Sequence, residues 1–241
     1  MSVQEVLLLA VTKMLAGVCI AGMTAEPHGV TGLRWVRPVR EHGNILLGDI
    51  TTAEGQVLRP FDVVALNLLR PRPGLPHAED WIADLAHTRP CITRQMPPER
   101  RAAFLERYCD RDPCQVLDRQ ERSLCLFKPD WVKGCFKLDA YTAQFEARLS
   151  FGLHGHCYRG SFARGGHPVT DLKWRALGRA WLPAEGGWLD FDEGDLEARF
   201  GIREIYLAAG LTRLHKGAFW PMIVGVHTLP DYEATVDYDN L

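Results

Sequence analysis

The sequence predicts a mainly β protein with some α, built as two small β-barrels in tandem with a helical connector. Three observations lead there. Five short β-compatible runs fall within about the first 70 residues, too closely spaced to leave room for the helices of a parallel α/β sheet. A Pro/Gly-rich stretch and helix-spaced segments follow, and then a second series of strand-like runs fills the rest of the chain. Neither a fixed-period repeat nor a low-complexity tract is present, which disfavours solenoids and propellers.

In chain order, Glu5–Thr12 is an apolar run, and Gly17–Thr24 (GVCIAGMT) repeats its character after a short break, as in a hairpin. Leu33–Val39 (LRWVRPV) alternates and carries a Pro near its end, as a strand that stops or lies at an edge. Ile45–Ile50 and Phe61–Leu69 complete the first set. From Arg70 the text reads RPRPGLP, and Ala78–Ala86 and Pro98–Cys109 have helical spacing with interleaved charges. Ser123–Lys128 (SLCLFK) reads as a strand ended by Pro129. Tyr141–Leu153 alternates apolar with polar, and Leu172–Trp181, Glu204–Leu211 and Pro221–His227 are the remaining expected strands. The expected domains are a first barrel over 1–130 with a helical insertion at about 76–110, a second over 131–229, and an acidic tail over 230–241.

Composition is that of a folded globular chain, with 46% hydrophobic and 24% charged residues among 241. The net charge of −2 hides an asymmetry: 22 of the 28 basic residues are Arg. Arg grips phosphate or carboxylate through a planar fork and stacks on rings, so the balance admits nucleic acid without demanding it. Opposing acids gather in Asp190–Glu197 and in the tail from Asp231. The apolar run Val6–Val11 is too short to cross a bilayer and lacks a basic leader or cleavage site, so no membrane partner is expected. Seven scattered cysteines, an odd number, read as free thiols, and the expected location is the cytoplasm.

Few motifs carry chemistry. Gly17–Gly22 lacks the spacing of a phosphate-binding loop and fits a strand whose glycines allow a bend or close backbone approach; nothing pairs Cys19 with a His. His154, His156 and Cys157 with Cys109 and Cys114 offer zinc-type ligands but not compact paired knuckles, so no metal is expected. Asp190–Asp195 lacks the ligand spacing of a calcium loop and reads as a solvated acidic loop. Thr170-Asp171 fits a turn or strand-start hydrogen bond, or a contact to a ligand hydroxyl. The period of two places Trp35 and Arg37 on one strand face, a ring beside a guanidinium. That pair suits base stacking and phosphate contact. It equally suits a core Trp with Arg37 paired to an acid such as Asp62.

Several segments in order resemble one family, the bacterial dual OB domain-containing proteins: LLLAVTKMLAGVCIAG (7–22), RWVRPV (34–39), LRPFDVVALNLLRPRP (58–73), HAEDW (77–81), SLCLFKPDWV (123–132), HPVTDLKW (167–174) and IYLAAGLTRLHKGAFWPMIVGVH (205–227). The resemblance implies two oligonucleotide/oligosaccharide-binding (OB) barrels and a nucleic-acid role in bacterial conflict with mobile elements, such as antiviral defence, with no established enzymatic activity. On this basis Arg34, Trp35, Arg37, Arg40, Lys128 and Arg175 are the candidate nucleic-acid-binding residues, for DNA or RNA. No catalytic residue, cofactor or metal is expected. The alternative function is a module that docks onto a partner nuclease or ATPase of a defence complex, since Arg and Trp also populate protein interfaces.

Overall fold

A computed structural model describes residues 2–14, 16–160, 165–183 and 185–238, so Leu15 and the last three residues of the expected tail lie outside the described residues. The chain forms two compact units, Met1–Phe104 with Cys114–Leu124, and Leu105–Pro113 with Cys125–Leu241. The division falls at 124/125, ahead of the expected 130/131, and residues 105–113 belong to the second unit.

The first unit holds β1 (Ser2–Met14), β2 (Gly17–Met23), β3 (Trp35–Val39), a 3-10 turn (Leu47–Ile50), β4 (Asp62–Pro71), β5 (Asp80–Ala83) and β6 (Cys91–Gln95). The strands pair in the order β1-β2-β3-β5-β4 and β4 returns to β1, which closes a five-position barrel. β3 and β5 run parallel, and β6 lies beside β4 after β5, so the fifth position is filled in two pieces. Val6, Leu8, Val64 and Leu66 are all but fully buried on one face, Leu7 and Val63 are buried on the other, and Glu5 at the start of β1 is exposed. Gly22 is required by the closeness of β1, since a Cβ there would lie 2.1 Å from the Leu7 carbonyl oxygen. That is the close approach expected of GVCIAG. α1 (Pro98–Tyr108) and α2 (Cys114–Leu117) follow.

The second unit holds β7 (Leu124–Phe127), β8 (Trp131–Leu138), β9 (Phe145–Leu153), β10 (His156–Tyr158), β11 (His167–Pro168), α3 (Leu172–Trp181), β12 (Gly187–Asp192), α4 (Glu193–Phe200), β13 (Glu204–Leu211) and β14 (Pro221–Leu229). Here the first barrel position is split into β7 and β8, interrupted at Pro129-Asp130. β8 pairs with β9, β9 with β11, β14 with β13, and β13 with β7. The ring closes where Val169 bridges Ile223 in parallel and the Thr170 N–H donates to the Ile223 carbonyl at 2.9 Å. Third and fifth strands therefore meet in parallel in both barrels. Phe136 centres the core, with the rings of Phe145, Phe191 and Trp174 within about 6 Å.

Four expectations are corrected. Ala78–Ala86, expected as helix, contains β5, whose four residues are all buried beside β3; tertiary pairing overrides local spacing. Leu172–Trp181, expected as strand, is α3: Asp171 caps it by accepting from the Trp174 N–H at 2.9 Å, and Trp174, Leu177 and Gly178 form a buried helical stripe. Ile45–Ile50 is a 3-10 turn with one bridge residue, Ile45 opposite Val18. Asp190–Asp195 is the end of β12 and the start of α4, with Asp192 and Asp195 in a reciprocal capping box.

Candidate nucleic-acid interface

The structure uses the expected basic residues for its own internal contacts. On β3, Trp35 is 3% and Arg37 7% exposed. The Arg37 Nε–H donates to Asp80 on the parallel neighbour β5 at 2.6 Å, with both side chains buried. A buried Arg–Asp pair of this kind is held by mutual neutralisation, and breaking it leaves an uncompensated charge. The partner is Asp80, not Asp62; Asp62 accepts instead from the Arg59 N–H and from Gln95. Trp35 and Arg37 are both buried, as is Val36 on the opposite face of β3, so the arrangement displayed is the core Trp with a paired Arg and not an open stacking-and-phosphate face. Arg34 pairs with Glu26 at 3.2 Å and Arg40 with Asp49 at 3.2 Å.

In the second unit, Lys128 pairs with Glu204 at 2.6 Å and lies over the Tyr206 ring. Arg175, on α3, donates to the Phe145 carbonyl at 3.0 Å and packs over the Phe145 ring. Burial, helped by neighbouring Arg179, draws the Arg175 guanidinium down to about 10. The six residues are thus split between the two units, Arg34, Trp35, Arg37 and Arg40 in the first and Lys128 and Arg175 in the second.

The segments that carried the family resemblance meet each other instead. Glu79, fully buried, accepts from the Ser123 N–H and Oγ–H and from the Leu124 N–H at 2.9–3.0 Å, which ties HAEDW to the start of SLCLF. Asp171, also buried, accepts from the Trp174 and Val226 N–H groups at 2.9 Å, which ties HPVTDLKW to β14. Burial pushes its carboxyl up to about 6. Of the two roles open to Thr170-Asp171, the hydrogen-bonding one is what the structure displays.

OB barrels take ligands on the face of their second and third strands and on the loops joining first to second and fourth to fifth. In the first barrel only Gly17, Cys19 and Val39 of β2 and β3 keep partial exposure. The second barrel differs. Its first-to-second loop, 139–144, carries Tyr141 at 99% exposure. Asp139 Oδ1 pins that loop by accepting from the Tyr141 and Thr142 N–H groups at 3.0 and 2.9 Å, and these bonds hold the Asp139 carboxyl below its usual range. Its fourth-to-fifth loop, 212–220, is an extended hairpin with Leu214 66% and Trp220 43% exposed. His215 and Ala218 exchange both backbone bonds around Lys216-Gly217, each at positive φ, and the Trp220 indole N–H donates to the His215 carbonyl at 3.2 Å.

Between these loops, register sets Lys133 opposite Ser150, Cys135 opposite Arg148 and Lys137 opposite Glu146 on the outward face of β8 and β9. Arg148 reaches Glu146 at 3.1 Å. The β12 side is acidic: an open groove of about 370 Å³ there is lined by Asp190, Asp192 and Asp195 with Lys133, Ser150 and Gly165. The expected strands Glu204–Leu211 and Pro221–His227 leave 212–220 as their connecting loop, but sequence reasoning singles out neither this loop nor 139–144 as a site. Tyr141 was absorbed into an alternating strand, although Asp139 two residues earlier is an Asx-turn signal; Lys216-Gly217 before an aromatic pair is a hairpin-turn signal.

Among the described residues, no three His, Cys, Asp or Glu side chains are grouped so that they could hold a metal ion. None of the described helices is long and apolar enough to cross a membrane. The sequence model of the dual OB-containing domain matches residues 4–171, which spans the first barrel and the opening strands of the second. No curated protein and no solved structure matches the chain.

Proposed function

We propose, on the premise that the chain belongs to the dual OB-containing domain family, that it binds nucleic acid without catalysis, through the second barrel. One observation carries this reading: that barrel keeps exposed aromatic side chains on both loops that flank its second and third strands, whereas the fourth-to-fifth loop of the first barrel exposes Leu75 and no ring. The buried acids support a binding role, since Glu79 and Asp171 serve backbone N–H groups in the fold. The test is fluorescence anisotropy of labelled DNA and RNA oligonucleotides with the full chain at about 50 mM salt, where nucleic-acid contacts are least screened. Saturable binding is expected; absence of binding to every oligonucleotide would overturn the reading.

A second reading rests on Leu214 and Trp220, both exposed on one hairpin, which also suit a protein partner such as a nuclease or ATPase of a defence complex. Salt separates the two: phosphate contacts weaken along a log-linear slope, and a mostly apolar protein interface barely responds.

A further inference from the structure

We infer that the outer edge of β6 is a strand-addition site, and that its occupant is the acidic C-terminal strap, 230–238, of a second copy of this chain.

β6 ends the strand order of its sheet and pairs with β4, and among the described residues no strand lies along its other side. Four of its five residues are exposed and Ile92 is half-buried, so both faces of the strand meet solvent. The Met96 N–H donates to the Phe61 carbonyl at 2.9 Å on the β4 side. By alternation the Gln95 N–H, one residue earlier, points away from β4. Such an edge accepts an extended segment through main-chain hydrogen bonds. Pro90 and Pro97 bracket it, and because neither has an N–H to donate, pairing is confined to one short strand.

Charge decides between occupants. Across the ladder Arg94 pairs with Glu5 at 2.8 Å, and Gln95 reaches Asp62, near which Arg59 and Arg101 stand. With Arg89, Glu99 and Arg100 on the flanks, five Arg stand against three acids. A second β6 laid along this edge would set like charge against like, whereas an acidic strand is attracted.

The chain's own tail is such a strand. From Asp231 to the end it holds four acids and no base. Over 231–238 exposed residues alternate with buried or half-buried ones, which is the period of extended chain, yet none is paired in a strand. Tyr232 moors the strap: it is 3% exposed, edge-on to Trp174 and beneath the Lys173 ammonium, which also pairs with Asp231 at 2.6 Å. Glu233, Thr235 and Asp237 face outward, and the backbone groups of an extended chain point sideways from it. Glu233–Asp237 (EATVD) matches the five residues of β6 in length, holds β-branched Thr235 and Val236, and has an acid at each end. Each copy carries both the edge and the strap, so copies joined this way self-associate.

The experiment uses the full chain and a labelled peptide of residues 229–241. Saturable binding is expected at protein concentrations below about 1 mM, weakening as salt screens the charges. A peptide carrying Glu233→Lys and Asp237→Lys should bind at least about 10-fold more weakly. One N-methylated at Thr235 and Val236, which loses an N–H on each edge, should not bind. On the protein, Gln95→Pro removes the outward N–H and should weaken binding at least about 10-fold, while Gln95→Ala keeps it and should stay within about 2-fold. In sedimentation, the average mass of the wild-type chain should rise above that of one chain with concentration, and Glu233→Lys should lower it. The N-methylated peptide leaves the protein untouched, so the test holds even if Gln95→Pro does not fold. Absence of peptide binding, equal binding of the N-methylated peptide, a folded Gln95→Pro chain that binds like wild type, or an average mass of one chain at every concentration overturns the inference. Equal binding of the Lys-bearing peptide would assign the edge to a partner that is not acidic and overturns this occupant.

Discussion

The two barrels repeat one cyclic strand order and differ in what stands beside its second and third strands. In the first, β3 carries Trp35 and Arg37, a pair whose chemistry suits a nucleic-acid face, and both are buried with Arg37 neutralised by Asp80. In the second, β9 offers only Glu146, Arg148 and Ser150 outward, yet the loops at its flanks present Tyr141 and Trp220 to solvent. Residue type alone does not mark a binding face. A guanidinium beside a ring is a site where water and ligand reach it, and a structural anchor where a carboxylate reaches it first.

The largest expected effect sharpens that contrast. Arg37→Ala strands a buried Asp80 and should cost about 3–5 kcal/mol in guanidinium unfolding, while folded protein binds oligonucleotides as wild type does. A stable Arg37→Ala protein whose salt slope is shallower by about one would return β3 to the binding surface.

Next in size is a pH effect confined to the second barrel. Asp171 titrates near 6 when folded, above its unfolded value of about 3.9. The native chain therefore holds a proton that the unfolded chain has released. The associated stability is complete below about pH 4 and is lost as pH rises through about 6, a change of about 3 kcal/mol. Unfolding free energies from pH 4 to 7 should show this slope in the wild-type chain and lack it in Asp171→Asn; parallel curves for the two would exclude Asp171 as its source.

Smaller still is Gly178→Ala on α3. A Cβ there would sit 2.3 Å from the Phe136 ring, so the core must shift, at about 1–3 kcal/mol in thermal unfolding. An unchanged melting temperature would show that the second core is more yielding than its packing implies. The smallest effect is Lys128→Ala. Its pair with Glu204 is half exposed, so stability should change by less than about 1 kcal/mol and oligonucleotide affinity by less than about 2-fold. A larger loss of affinity would place Lys128 back among the ligand contacts.

Much of the architecture was readable from local pattern. β1, β2, β4, β7, β13 and β14 each coincide with an apolar or alternating run, and α1 with a helix-spaced one, because burial on one face imposes its period on the text. β5 and α3 were misread for opposite reasons. β5 is four buried residues whose strand state comes from Arg37 and Val39 pairing alongside, information that lies some forty residues away in the chain. α3 announces itself through the Asp171 cap, a signal that a turn shares, and through the short helical spacing of Trp174, Leu177 and Gly178.

For the candidate site, the sequence by itself determined the inventory: an Arg-rich, tryptophan-bearing chain of two β-rich halves, with enough strands for two barrels. It also determined that Trp35 and Arg37 share a face, since side chains alternate along any strand. Whether that face is open or covered was decided only by the tertiary structure, because Asp80 joins Arg37 through a parallel pairing between segments distant in sequence. The same holds for Tyr141 and Trp220. Their exposure follows from turns closed by Asp139 and His215 and from strands that bring two remote loops to the flanks of β9, and period and composition carry no record of long-range pairing.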